Sequence, residues 1–426
     1  MKGGTSMLIM FRVKNFMSFK DEVVLDFRKT SLREHAHHTF KLNQEVELLK
    51  SIAIYGANAS GKSNLMYALS AFIETMQKQF FDHEDEDNSN QKTVFSYQPF
   101  SFSNKINPIM EFEIAFGYQD VIYQYALSVD QDRKVHYERL DVNYVMLFER
   151  SETIKFHSDY DETLSVFSKV RKDRTLLAML DFYALDEQIK NHIDAIKTYF
   201  NDYMKVHLEV YFESSIKGFF SAFRIHDKAI SQNPELMKKV SEFTEKIDVG
   251  IEGLELQKIE RKNAKTKEVE ESYEIKVKHA VFDETGKKAK TISLSLDQES
   301  RGTVRFISFI RRIVDILESG GVYIVDEISS SFHPLLTKFI VDLFHSNLNR
   351  HNAQLIFTTH ETTLMNKEQF RRDQIYLIEK NHYGASSLFS LADLKVRSDA
   401  TFGSDYFKGK YGAIPVVQSW FAEANS

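Results

Sequence analysis

Residues Gly56-Ala57-Asn58-Ala59-Ser60-Gly61-Lys62-Ser63 spell a complete G-x-x-x-x-G-K-[ST] phosphate loop. An apolar run, Ser51-Ile52-Ala53-Ile54-Tyr55, leads into it, and a helical pattern opening Asn64-Leu65-Met66 leads out. Strand, glycine-rich turn and helix in that order are what such a loop needs. The glycines let backbone N–H groups turn inward around phosphate oxygens where a side chain would clash. The helix start adds partial positive charge. Lys62 is placed to reach the β- and γ-phosphates of ATP, and the Ser63 hydroxyl to ligate Mg²⁺. Gly56 through Asn64 are the expected nucleotide contacts.

The second half of a nucleotide site sits far along the chain. Gly320-Gly321-Val322-Tyr323-Ile324-Val325-Asp326-Glu327 is an apolar run ending in two acids. Such a run reads as a buried parallel strand, whose C-terminal end is where ligands bind in an α/β sheet. Asp326 is then placed to hold Mg²⁺, directly or through water. Glu327 is the expected general base for the attacking water. Ala353-Gln354-Leu355-Ile356-Phe357-Thr358-Thr359-His360 reads as the next strand, with His360 placed to contact a γ-phosphate oxygen or the attacking water. The segment around Ser300-Arg301-Gly302 precedes an apolar helix from Val304 to Leu317. A Ser and a Gly at a helix start make a second anion site. Because the chain already has its own phosphate loop, Ser300 and Gly302 are expected to contact the γ-phosphate held by another copy. The ATP site would then be composite and the dimer ATP-dependent.

Composition narrows the classes. The chain has 426 residues, 42% hydrophobic and 27% charged, ordinary for a globular protein. Its net charge of −6 implies no bulk attraction to DNA, though a local basic groove stays open. It has no cysteine, which removes disulfides and cysteine-ligated zinc and fits a reducing cytosol. No apolar run approaches the roughly 20 residues of a membrane helix, and Met1–Ser6 is too short and polar for a signal peptide. A cytoplasmic protein without a membrane partner is expected. Its 35 Phe and 19 Tyr read as core packing rather than base stacking.

Along the chain, Met7–Val13 and Glu22–Phe27 read as strands. The helix after the phosphate loop runs to about Gln79. Asp82–Asn90 is acidic and polar, a solvated loop or, more sharply, a cation site. Residues 93–150 alternate as antiparallel strands with a turn near Gly117–Asp120. From about Thr175 to Lys246 the pattern is mostly helical, with 208–230 ambiguous. Lys258–Glu271 is a dense charge run, read as a solvated hairpin tip or a nucleic-acid contact. His35-Ala36-His37-His38 is a polar loop near the nucleotide or a metal cluster. The expected division is 7–150 for the N-terminal part of an ATPase head, 151–270 for a mainly helical insertion, and 271–426 for the C-terminal part.

The order of phosphate loop, inserted region, Ser-Gly segment, Asp-Glu strand and histidine strand resembles the ABC-type ATPase heads of the SMC, RecF and OLD group. Lys14-Asn15-Phe16-Met17-Ser18-Phe19 resembles that group's N-terminal Asn-Phe-x-Ser-Phe. Asp326-Glu327-Ile328 followed by Phe332-His333-Pro334 resembles the bacterial AAA-15/AAA-21 ATPases. Three tail segments resemble the AbiL and RloA type abortive-infection ATPases: Asp373–Lys380, Leu391-Ala392-Asp393-Leu394 and Gly409-Lys410-Tyr411-Gly412-Ala413-Ile414-Pro415. The ATPase subunits of PARIS-type phage-defence systems are similar. The resemblance covers roughly 7–150 and 270–416. It implies an α/β ABC-type head with a β-rich lobe and a RecA-like lobe. It also implies ATP-sandwich head dimers, a phage protein as trigger, and a separately encoded Toprim-type nuclease as effector. No nuclease constellation is legible in this chain. Ser329 stands where the family pattern has Asp, which implies slow hydrolysis or altered coupling between subunits. The expected function is an ATP-hydrolysing sensor or scaffold in anti-phage defence. The alternative is a RecF-like or SMC-like clamp acting directly on DNA, with an exporter ATPase a distant third.

Overall fold

The structure is a computed structural model that describes residues 6–43, 46–81, 97–160, 173–182, 187–207, 233–247, 250–262, 269–330 and 332–415. The acidic stretch Asp82–Asn90 lies outside them, as do the ambiguous residues 208–230 and the centre of the charge run.

In chain order, strands β1 (Ser6–Lys14) and β2 (Val23–Asp26) are followed by the short pair β3 (Thr39–Lys41) and β4 (Glu47–Leu49). β5 (Ser51–Gly56) feeds the phosphate loop and α1 (Lys62–Phe81). Five strands follow: β6 (Met110–Tyr118), β7 (Val121–Val129), β8 (Val135–Val142), β9 (Val145–Arg150) and β10 (Ile154–Phe156). Then come α2 (Leu176–Phe182), α3 (Glu187–Thr198) with a π-turn at Tyr199–Tyr203, β11 (Met204–His207) and α4 (Pro234–Ile247). β12 (Ile251–Lys262), β13 (Val269–Phe282) and β14 (Lys288–Ser295) lead to α5 (Arg301–Ser319). The chain closes with β15 (Val322–Val325), α6 (Pro334–His345), β16 (Gln354–Thr358), β17 (Ile375–Lys380), β18 (Ser386–Ser390) and α7 (Phe402–Phe407).

The chain divides into two units. The first comprises Met1–His207, Ser319–Ile328 and Val341–Ser426; the second comprises Leu208–Glu318 and Ser329–Ile340. The first unit holds two main sheets. One is antiparallel, in the order β10-β9-β8-β7-β6-β1-β2. The other runs β11-β15-β16-β5-β17-β18, parallel throughout except that β17 and β18 are antiparallel. β5, β15 and β16 are buried at every position, which is why their sequences are apolar runs without alternation. β7 faces the core on one side only and alternates accordingly.

A buried glutamine ties the two sheets together. Gln354 Oε1 accepts from the Leu8 N–H at 2.6 Å, and its Nε2 donates to the carbonyls of Leu8 (3.0 Å) and Leu49 (3.1 Å). An aromatic core packs α1 on the antiparallel sheet. Phe72 lies 5.9–6.2 Å, ring centre to ring centre, from Phe11, Phe112, Tyr125 and Phe200. Each such ring contributes about 2–3 kcal/mol by leaving water. Much of the chain's aromatic content is therefore core, as the composition implied. Glu138, fully buried, accepts from the first N–H groups of α2, Leu176 (2.6 Å) and Leu177 (2.9 Å), and from the Tyr125 hydroxyl (2.9 Å). That pins α2 to the same sheet.

Residues 151–270 contain α2, α3 and α4, but they do not form one body. The part through His207 belongs to the first unit. Met204–His207, in a stretch read as helical, is an edge strand paired in parallel with β15. Four residues are too few for the alternation that would betray a strand. In the second unit, β12-β13-β14 form an antiparallel sheet, with Lys262 paired to Val269 at the outer end of the first hairpin. Leu254 N–H donates to Ser241 Oγ of α4 at 2.9 Å. Among the described residues no helix is long and apolar enough to cross a membrane.

Candidate nucleotide-binding site

β5 is flanked by β16 and β17, so the phosphate loop emerges from the middle of the parallel sheet. The loop is tight. Ser60 N–H donates to the Ala57 carbonyl at 3.2 Å, and Leu65 N–H to the Gly61 carbonyl at 3.1 Å. A Cβ at Gly56 would lie 2.5 Å from the Ile378 carbonyl oxygen. At Gly61, where φ is +119°, a Cβ would lie 2.6 Å from Ser386 Oγ and 2.8 Å from Ser18 Oγ. Both glycines are thus demanded by the chain's own packing. Ser60 Oγ is buried without a hydrogen-bond partner, an atom of the right kind and place to meet a ligand oxygen.

The back of the loop rests on two serines that the motif did not point to. Asn64 Nδ2 donates to Ser18 Oγ at 2.8 Å, Ser386 Oγ donates to the Ser60 carbonyl at 2.5 Å, and Ser386 N–H donates to the Ser18 carbonyl at 2.7 Å. Ser18 is delivered by the Asn15–Phe19 turn. There the N–H groups and carbonyls of Phe16 and Phe19 bond reciprocally, at 2.9 and 2.8 Å, and Asn15 and Met17 take positive φ values of 56° and 49°. Asn15 Nδ2 anchors the turn on the carbonyls of Asn107 (2.8 Å) and Ile109 (2.7 Å). The Asn-Phe-x-Ser-Phe segment is a bracket for the first turn of α1.

Lys62 is 5% exposed and donates from Nζ to the carbonyls of Gly56 (2.9 Å) and Ala57 (3.0 Å). Burial pushes its pKa down to about 8, against the opposing pull of the Glu327 and Asp326 charges. The same two acids, after burial, raise the Tyr67 pKa on α1. Lys62, Tyr67, Asp326 and Glu327 therefore share one electrostatic neighbourhood.

One hydroxyl organises the acids. Thr358, at the end of β16 and fully buried, donates from Oγ1 to Asp326 Oδ1 at 2.6 Å and accepts from the Glu327 N–H at 2.7 Å. The Ile328 N–H donates to the Thr358 carbonyl at 3.1 Å. Glu327 has φ +50°, a backbone conformation that a side-chain-bearing residue holds at a cost of about 1–3 kcal/mol. Thr358 was legible only as a strand residue. A threonine closing the strand next to an Asp-Glu strand end was the available signal. His360 lies two residues beyond the end of β16, not on it, and is exposed. Desolvation and then the Lys62 charge lower its pKa, while Asp326 works against them.

The structure thus brings Gly56–Asn64, Asp326, Glu327 and His360 into one unit. Ser300 and Gly302 lie in the other. Ser300 caps α5: its Oγ accepts from the Thr303 N–H at 3.1 Å, and its carbonyl accepts from the Val304 N–H at 3.0 Å. Gly302 is exposed, and a Cβ there would meet nothing nearer than Ser300 Oγ at 3.7 Å.

The family described as "AAA domain, putative AbiEii toxin, Type IV TA system" matches residues 51–366. The chain belongs to that family. The match runs from the first residue of β5 to beyond His360, so it takes in both halves of the site. The fold is α/β, with a mainly parallel sheet and an antiparallel sheet in the first unit. No curated protein matches the sequence. Among solved structures, the chain is similar to the SMC head domain from Thermotoga maritima, at 14% identity over 90% of this chain and 98% of that one, TM-score 0.42. It is also similar to the Smc head domain with an extended coiled coil derived from Pyrococcus furiosus, which is bound to the C-terminal domain of ScpA. That likeness has 14% identity over 92% of this chain and 97% of the other, TM-score 0.46.

Proposed function

We propose that this AAA-family protein binds Mg-ATP between two copies of itself, hydrolyses it slowly, and serves as the sensor or scaffold of an anti-phage system. In that system it controls a separately encoded Toprim-type nuclease. The observation that carries the ATPase reading is the Thr358 hydroxyl, which holds Asp326 and Glu327 together at the strand ends beside Lys62. The defence role is supported by the resemblance to abortive-infection ATPases and by a family described through a toxin–antitoxin system.

The residues fit the nucleotide. Gly56 and Gly61 have no room for a side chain, and Ser60 Oγ is a buried polar atom awaiting a partner. The backbone of Gly56–Ser63 would cradle the phosphates, with Asn64 at the loop's exit. On binding, Lys62 would exchange the Gly56 and Ala57 carbonyls for phosphate oxygens. Ser63 and Asp326 would hold Mg²⁺, which supplies charge neutralisation at the phosphates. Glu327, its backbone locked by Thr358, would take a proton from the attacking water. His360 would contact the γ-phosphate or that water. Ser300 and Gly302 would meet the γ-phosphate of the other copy, where the open surface of Gly302 permits close approach. Ser329, in place of the family's Asp, is consistent with slow turnover.

Glu327→Gln keeps size and hydrogen bonding but cannot accept the proton. ATP turnover should fall roughly 100-fold or more while ATP stays bound. An affinity-tagged Glu327→Gln protein, coexpressed with the product of the neighbouring gene, should retain or exclude that product depending on ATP. Wild-type turnover in the variant overturns the base assignment. Recovery of the neighbour regardless of ATP overturns the scaffold reading, and salt-sensitive DNA binding in its place would establish the clamp alternative.

A further inference from the structure

The parallel sheet has a second end. The phosphate loop leaves the C-terminal end of β5; at the other end four imidazoles cluster, His35, His38 and His345 stacked face to face and His37 meeting His35 and His38 edge-on. His35 and His38 lie 4.6 Å apart, ring centre to ring centre, His37 and His38 4.3 Å, and His38 and His345 3.6 Å. His345, the last residue of α6, bonds through Nε2 to the hydroxyl of Ser51, the first residue of β5, at 2.8 Å. One ring nitrogen from each of His35, His37 and His38 lies within 4.8 Å of the others.

Two of these rings have their tautomers fixed by their surroundings. His35 Nε2 faces the Lys367 carbonyl at 2.6 Å, and a carbonyl can only accept. The proton is therefore on Nε2, and Nδ1 keeps a lone pair. Gln374 is oriented at both ends of its amide. Its Nε2 donates to Ser51 Oγ (3.0 Å) and to the Ser51 carbonyl (3.2 Å), and its Oε1 accepts from the Arg371 N–H at 3.1 Å. That same Oε1 faces His38 Nδ1 at 2.9 Å, so His38 carries its proton on Nδ1 and keeps a lone pair on Nε2. Each ring thus donates one N–H to a protein oxygen and keeps a lone pair on its other nitrogen, the arrangement that orients metal-binding histidines. His345, in the ring stacked on His38, is not among the three ligands; it holds His38 in place from behind.

The histidine segment is also held firmly. The buried Arg371 donates to the carbonyls of Glu34 and of Leu32, and pairs with Asp373 at 2.7 Å. Asp373 in turn accepts from the Thr30 N–H at 3.0 Å and the Thr30 hydroxyl at 2.7 Å. Imidazole nitrogens without carboxylate or thiolate suit a borderline divalent ion, and with no cysteine in the chain nothing softer competes.

We infer that His35, His37 and His38 bind one Zn²⁺ per chain, with water as the fourth ligand, at the end of the sheet opposite the nucleotide. With Zn–N bonds of 2.0–2.1 Å, tetrahedral ligands sit about 3.4 Å apart, so the nitrogens, now within 4.8 Å of one another, must draw together, and the His35 and His38 rings, parallel to within 10°, must turn toward each other to close the site. The ion would tie together the three side chains of the segment before β3, which already bonds to the approaches of β5 and β17 through the Lys50 N–H and Gln374 Oε1. Lys50, whose positive charge acts on His37 and His38, would weaken the site.

The test uses the full chain, free of any histidine tag and stripped with a chelator, titrated with zinc sulfate against a chromophoric competitor. Cobalt sulfate serves as the visible probe of tetrahedral geometry. The expected result is one ion per chain, a rise in Tm on adding zinc, at least tenfold weaker binding in His37→Ala, and tighter binding in Lys50→Ala. His37 is exposed, so that variant should fold and bind ATP as the wild type does. Three results would overturn the site: no stoichiometric zinc, binding undiminished in His37→Ala, or zinc lost in Asp326→Asn but kept in His37→Ala, which would put the ion at the nucleotide site instead.

Discussion

Two glycine-bearing anion motifs in this chain live under opposite constraints. At Gly56 and Gly61 a Cβ would come within 2.5–2.8 Å of neighbouring atoms, and Ser18, Ser386 and Lys62 fill the space around the loop. At Gly302 the nearest atom to a Cβ is 3.7 Å away, and Ser300 is occupied only in capping its own helix. The chain's own packing requires the first pair of glycines. Nothing among the described residues requires the second. The composite ATP site proposed above would give that glycine a use, by letting a phosphate brought by another copy approach closely.

The largest effect that would break this contrast is at Lys62. Lys62→Ala should weaken ATP binding by roughly 100-fold, about 2.7 kcal/mol, measured by isothermal titration calorimetry. The wild-type pH dependence sharpens the point. Lys62 has its pKa depressed to about 8, and phosphate needs the ammonium form. Below pH 8 ATP affinity should be flat in this residue. Above it, the free protein must take up a proton to bind, and the apparent Kd should rise by up to about tenfold per pH unit. An affinity unchanged from pH 7 to 9.5 would contradict the assignment.

Next comes Gly61→Ala, which forces a side chain into φ +119° and against Ser386 and Ser18. It should cost roughly 2 kcal/mol in chemical denaturation. Thr358→Val removes the hydroxyl that bonds both Asp326 and the Glu327 N–H while keeping the β-branched shape. It should cost about 1–2 kcal/mol and slow turnover roughly tenfold, the signature of a residue that positions the acids. Gly302→Ala should change stability by less than about 0.5 kcal/mol and leave ATP binding by the single chain intact. It should nevertheless impair ATP-driven association, read by analytical ultracentrifugation. Destabilisation in Gly302→Ala equal to that in Gly61→Ala would erase the distinction.

The legibility of the sequence follows the same line. Segments buried on all sides announce themselves: β5, β15 and β16 have apolar centres without alternation, and the acids and the phosphate loop fall where those runs stop. The β6–β7 hairpin was readable from alternation, with its turn between Tyr118 and Val121. What escaped was joined across distance. Thr358 becomes a hub only because β16 lies beside β15, and Ser18 and Ser386 meet the loop from positions far from it in the sequence. β11 escaped for another reason: four residues on a sheet edge carry too little pattern to stand out from the helical stretch around them.

The most direct test of the composite site is mass photometry of the Glu327→Gln protein with and without Mg-ATP, alone and carrying Ser300→Arg as a second substitution. The account predicts a shift from single chains to dimers or larger assemblies on adding Mg-ATP, abolished by Ser300→Arg. A mass that ignores ATP, or an ATP-driven assembly that survives Ser300→Arg, would contradict it.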